Sequence, residues 1–166
     1  LKQLGFYNKE DTQEDVIGAE IGAGMKNIIA IASGILTGLG YENNSRAALI
    51  TRGLAEITRF GIAKGAKEKT FSGLTGIGDL FLTCSSPTSR NFTAGMEIGE
   101  KDSAEEFMKN NTITVEVIEA SKLIYREAEK CRISVPITES VYQILFEGKK
   151  PSETVKQLMN RSLKAE

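Results

Sequence analysis

From Val16 to Leu39 the chain is almost continuously apolar or small. Beyond that run, hydrophobic positions recur every three to four residues as far as Leu163, separated by short polar or glycine-containing breaks. This spacing predicts helices over 16–39, from Asn43 or Asn44 to about Gly65, over 115–132, from Pro136 or Ile137 to Gly148, and over 152–163. Asn43 and Asn44 are candidate N-caps, and Pro151 suits a first helical turn. Ser103-Ala104-Glu105-Glu106 has the spacing of a capping box that opens a short amphipathic helix. Thr88 or Ser89 is a candidate N-cap at the end of a loop from Ser85 to Asn91. Gly73, Gly76 and Gly78 predict a tight turn that delivers Asp79 to a helix N-terminus. The one strand signal is a short piece near Gly5-Phe6-Tyr7. The sum is an all-α domain of about six helices over 16–166.

The first helix has two contrasting faces. At about 100° per residue, Ile17, Ile21, Ile28, Ile31, Ile35 and Leu39 share one side, and Ala19, Gly22, Lys26, Ala30, Ser33 and Thr37 share the other. Lys26 is the only charge between Glu20 and Glu42. An ammonium buried without a partner is costly, so it needs a counter-charge, a lowered pKa or a ligand. Two readings stay open. The small stripe packs closely against another helix while Lys26 snorkels to water, or it lets a ligand approach Lys26. In the second helix, Ala48, Leu49, Leu54, Ile57, Phe60 and Ile62 wrap widely around the axis, as expected of a central buried helix. Arg46, Arg52, Glu56 and Arg59 read as solvated or interface charges.

Composition narrows the chemistry. Lys plus Arg is 21 and Asp plus Glu is 22, a balance that offers no electrostatic case for nucleic acid or an anionic membrane surface. There is no histidine, which excludes Ser-His and Cys-His catalysis and removes the commonest metal ligand. Cys84 and Cys131 are too few for a disulfide framework or a zinc site and are expected to be reduced, buried or half-buried thiols of a cytoplasmic protein. The stretch 21–41 is long enough to span a bilayer, but Lys26, Asn27 and the glycines within it argue against insertion.

Three polar clusters interrupt the apolar helices: Lys26-Asn27, Asp79 with Thr83, and Ser89-Arg90-Asn91. Taken singly they are a solvated lysine, a capping aspartate and a cap beside a surface arginine. Together they have a chemical logic. A lysine with a pKa lowered by desolvation can give and take a proton near neutral pH, and an aspartate nearby would hold it in place while opposing that lowering. Arginine and asparagine at a helix N-terminus suit an anion, above all a phosphate.

The blocks Gly22-Ala23-Gly24-Met25-Lys26-Asn27, Ala47 to Glu56, Gly73-Leu74-Thr75-Gly76-Ile77-Gly78-Asp79-Leu80 with Thr83-Cys84, and Ser89-Arg90-Asn91 resemble, in that order, the C-terminal half of bacterial NAD(P)-dependent glycerol-3-phosphate dehydrogenase. The resemblance runs from about Asp15 to Leu163 and includes the tail Val141 to Gly148. It implies an all-α substrate domain of the 6-phosphogluconate dehydrogenase C-terminal type, cytoplasmic and homodimeric. By that likeness the enzyme interconverts dihydroxyacetone phosphate and sn-glycerol 3-phosphate with NAD or NADP, on the way to glycerophospholipids. Lys26 would be the acid/base and Asp79 its orienting partner. Asn27 and Thr83 would line the pocket, and Ser89, Arg90 and Asn91 would hold the phosphate. Arg90, Thr114 and Glu116 would touch the cofactor. The chain has Val117 where the family usually has glycine after that glutamate. The likeness further implies that a dinucleotide-binding domain precedes this region, with residues 1–15 its end or a linker. The 166-residue piece alone is then expected to bind cofactor poorly and to be inactive. The competing readings are the helical domain of another hydroxyacid dehydrogenase and a non-catalytic helical dimerisation module.

Overall fold

In the computed structural model, which describes residues 15–110 and 115–161, nine helices and no strand occur among the described residues. The expected piece near Gly5-Phe6-Tyr7 and Thr114 lie outside them. Helix α1 (Val16–Gly38) is capped by Asp15, whose Oδ1 accepts the Gly18 N–H at 2.9 Å. It is the central helix, a place the sequence pattern assigns to the next one. Ile28, Ile31 and Ile35 of the isoleucine face are buried, but so are Ala30 and Ser33 of the small face. Only its first turns are open, with Ile17 51% exposed. The helix is apolar and long enough to cross a membrane, yet 56% of its most apolar window is buried inside the fold.

Helix α2 (Asn43–Ala63) starts after Glu42 and has no side-chain cap bond, so neither Asn43 nor Asn44 caps it. It ends at Lys64, with Gly65 turning the chain at φ +92°. Its buried residues include Leu49, Ile50, Ile57 and Phe60, whereas Ile62 faces outward. Glu56 is not a solvated charge. It is 1% exposed, and its carboxylate accepts the N–H groups of Ile137 and Thr138 and the Thr138 hydroxyl.

The glycine-rich segment also departs from expectation. A short helix, α3 (Glu68–Ser72), precedes it, and only Gly73 breaks the chain. Gly76 and Gly78 lie inside α4 (Leu74–Ser85), so Asp79 stands mid-helix and not at an N-terminus. Gly78 lies within the helix and is not among the glycines of positive φ, so it marks no turn.

Helix α5 (Arg90–Lys101) is capped by Ser89, as its spacing predicts, through a 3.3 Å bond from the Phe92 N–H. It packs on α1 backbone to backbone. A Cβ on Gly34 would fall on the Phe92 carbonyl oxygen, one on Gly38 on that of Met96, and one on Gly95 on that of Ile31. Glycine is required here for close approach. The contacts advance together along both chains, so α1 and α5 run parallel.

Helix α6 (Glu105–Lys109) has Ala104 at its cap and no side-chain cap bond. The capping box does not form: Ser103 Oγ accepts from Glu105 N, and Glu106 pairs with Lys101. Helix α7 (Val115–Cys131) buries Val117, Ser121, Ile124 and Ala128 but exposes Leu123. Pro136 and Pro151 open α8 (Pro136–Phe146) and α9 (Pro151–Asn160). Cys84 is buried and Cys131 is exposed.

Candidate active site

Lys26 on α1 and Asp79 on α4 meet directly. The ammonium Nζ and carboxylate Oδ2 are 2.5 Å apart, with the lysine side chain 28% and the aspartate 52% exposed. They border a cleft of about 260 Å³ whose wall includes Gly22, Ala23, Leu54 and Phe71. The small residues of α1 keep that wall low. The first half of their stripe is open beside Lys26, and its second half is packed. A carboxylate within bonding distance holds the ammonium in one place at the edge of the cleft.

Helix α4 is tied to α1 beyond this pair. Ser33, fully buried, donates its hydroxyl to the Cys84 carbonyl at 2.8 Å. Thr83 lies one turn past Asp79, with its hydroxyl donating to the Asp79 carbonyl at 2.7 Å, so that hydroxyl is engaged within its own helix. Burial and the nearby Asp79 charge push the Cys84 thiol up to about 12, which keeps it protonated and non-nucleophilic.

At the other end of the cleft Asp15 forms a second anchor. Its Oδ2 accepts the Thr70 hydroxyl at 2.5 Å and the Lys67 N–H at 2.8 Å. The Thr70 hydroxyl first, then the backbone N–H groups of Lys67 and Gly18, hold its carboxyl below the usual aspartate range. Neither Asp15 nor Ser33 stood out in the sequence. Their only signals were an aspartate just before the apolar run and a serine on the small stripe.

The Ser89-Arg90-Asn91 cluster forms the N-terminus of α5, with Arg90 exposed and Asn91 half-buried. Ser89 uses its oxygen as the cap. Since Ile31 packs against Gly95 in a parallel register, Asn27, one turn earlier, lies level with residues 89–91. The three residues do not line the Lys26–Asp79 cleft themselves. Glu116 is exposed in the first turn of α7. It lies one turn before Ala120, which packs against Gly24 of α1.

Comparison with known proteins gives a consistent result. A family model described as NAD-dependent glycerol-3-phosphate dehydrogenase C-terminus matches residues 15–156. A glycerol-3-phosphate dehydrogenase [NAD(P)+] of Carboxydothermus hydrogenoformans is 51% identical over 160 residues, which cover 96% of this chain and 48% of that protein. One from Listeria monocytogenes is 51% identical over 155 residues, 93% of this chain and 46% of its own. The crystal structure of glycerol-3-phosphate dehydrogenase from Coxiella burnetii superposes with a TM-score of 0.82 at 40% identity, covering 89% of this chain and 45% of that one. The chain spans about half the length of the curated relatives it matches.

Proposed function

Because the chain belongs to the family of NAD-dependent glycerol-3-phosphate dehydrogenase C-terminal domains, we propose that it is the substrate-handling half of an enzyme interconverting dihydroxyacetone phosphate and sn-glycerol 3-phosphate. The observation that carries this reading is the Lys26–Asp79 pair at the mouth of an apolar cleft. Lys26 donates a proton to the carbonyl oxygen as it becomes a hydroxyl and removes that proton in the reverse direction. Asp79 aims the Lys26 side chain at the substrate oxygen. Asn27 and Thr83 border the substrate. Ser89, Arg90 and Asn91 hold the phosphate at the α5 N-terminus, with free first-turn N–H groups and the Arg90 guanidinium as the donors.

The residues also fit a nicotinamide dinucleotide. Arg90 presents an exposed guanidinium suited to a phosphate, and Glu116 presents an exposed carboxylate suited to an amide or hydroxyl. Thr114 belongs to the same proposed contact. Bound NADH or NADPH supplies the hydride. A preceding dinucleotide-binding domain holds most of the cofactor in this reading, and the assembly is a cytoplasmic homodimer feeding glycerophospholipid synthesis. A purely architectural module predicts that no pocket joins Lys26 to Asp79 and Arg90; a cleft joins the first two, and Arg90 lies outside it.

The test is turnover of dihydroxyacetone phosphate with NADH or NADPH by the full polypeptide containing this chain. Lys26→Ala is expected to lower kcat by about 10²–10⁴-fold, the scale of a positioned acid/base group. A near-wild-type rate would remove Lys26 from that role.

A further inference from the structure

Three contacts connect α1 with the segment 67–85, and they advance in step along both chains. They are Asp15 with Thr70, Lys26 with Asp79, and Ser33 with the Cys84 carbonyl. The outer two differ physically from the middle one. Asp15 and Ser33 are 6% and 0% exposed, while the Lys26–Asp79 pair opens to solvent. An exposed ion pair contributes little and is screened by salt, so it cannot by itself hold two helices at a set distance. A buried hydrogen bond can, because breaking it strands a desolvated polar group.

The segment needs such anchors. Helix α3 has five residues, too few to persist without tertiary contacts, and α4 has Gly73 at its N-cap, which offers no side-chain cap. Each Asp15 oxygen has a separate task. Oδ1 caps α1 through Gly18, and Oδ2 grips α3 through Lys67 and Thr70. A Cβ on Gly18 would collide with the Asp15 carboxylate, so the grip also requires glycine there. Phe71 of α3 fills the space beside Gly61, and Thr70 and Phe71 both line the Lys26 cleft. Whatever fixes α3 therefore fixes the cleft wall and the start of the helix that carries Asp79.

We infer that Asp15, with Thr70, and Ser33 are positioning residues that set the Lys26–Asp79 geometry from either side of the cleft. The inference rests on the role proposed for Lys26. Asp15→Ser keeps a helix cap but lacks the second oxygen. Thr70→Val removes the same tie from the other partner with little change of shape. Ser33→Ala removes the far tie.

In the full polypeptide, each variant is expected to lower kcat by about 10-fold or more, within the range for a misplaced catalytic group. KM for the phosphorylated substrate should stay within about twofold, because the α5 N-terminus proposed to hold the phosphate is set on α1 by the separate glycine contact. Asp15→Ser with Thr70→Val should cost no more than the worse single variant, since both remove one tie. The ¹³Cε resonance of Lys26, assigned through Lys26→Arg and recorded without substrate, should move in all three variants. Variants that fold and melt lower but keep both kcat and the Lys26 resonance would overturn the inference. Full activity of Lys26→Ala would overturn the functional reading instead, and the resonance alone would then decide positioning.

Discussion

The carboxylate of Glu56 in α2 accepts both the backbone N–H and the hydroxyl of Thr138, at 2.9 and 2.7 Å. With the Ile137 N–H at 2.8 Å, one buried side chain satisfies the first turn of α8, which has no cap of its own. Burial raises this carboxyl above its ordinary value, and the three donors offset part of that rise. Glu56→Gln turns an N–H₂ group toward these donors. It is expected to destabilise the fold by about 2–4 kcal/mol, the scale for breaking a buried polar cluster. Urea unfolding measures this, and a loss below about 0.5 kcal/mol, the range of an ordinary surface substitution, would contradict it.

The glycines predict opposite effects. Gly34→Ala and Gly95→Ala force a methyl into the facing backbone, which cannot move aside as a flexible side chain would. Each should cost about 1–3 kcal/mol or more. Gly78→Ala meets open space inside a helix and should stabilise by about 0.5–1 kcal/mol. The sign difference between the two sites, read from melting temperatures, is the check.

Asp79→Asn separates activity from stability. The Lys26–Asp79 pair is half open to water, and such pairs contribute about 0–1 kcal/mol. The melting temperature should hardly change while kcat falls by about 10²-fold, as expected when a catalytic group loses its orienting partner. A large stability loss with normal turnover would mark the pair as structural.

Arg90→Ala tests the phosphate end. A charge-assisted hydrogen bond to phosphate is worth about 1.5–3 kcal/mol, so kcat/KM for dihydroxyacetone phosphate should fall by about 10–100-fold. At saturating cofactor, activity on unphosphorylated dihydroxyacetone should fall far less. An equal loss on both substrates would place Arg90 elsewhere.

Asp15 should give the fold an acid-sensitive component. Its folded pKa lies below the ordinary 3.8, so its contribution is complete above that value and is lost as the pH falls through the folded pKa. The stability gap between the wild type and Asp15→Asn should therefore be widest near neutrality and close in acid. Denaturation followed from pH 7 down to below 3.8 measures it, and a constant gap would show that the carboxylate charge is not involved.

What the sequence determined by itself is local. The long helices, the Ser89 cap and the proline starts of α8 and α9 follow from periodicity and first-turn chemistry, which act within a few residues. The motif blocks around Lys26, Asp79 and Arg90 were legible as a set because their order and residue types match one family. The same local logic failed where a distant partner decides. Glu56 looks solvated until Ile137 and Thr138, 81 and 82 residues away, supply its donors. Gly76 and Gly78 resemble turn residues, but both lie inside α4. The meeting of Lys26 with Asp79, 53 residues apart, was decided only in three dimensions. Beyond its first turns α1 is buried, and Asp15 and Ser33 tie it to the segment that carries Asp79; none of this is encoded in the spacing of neighbouring residues.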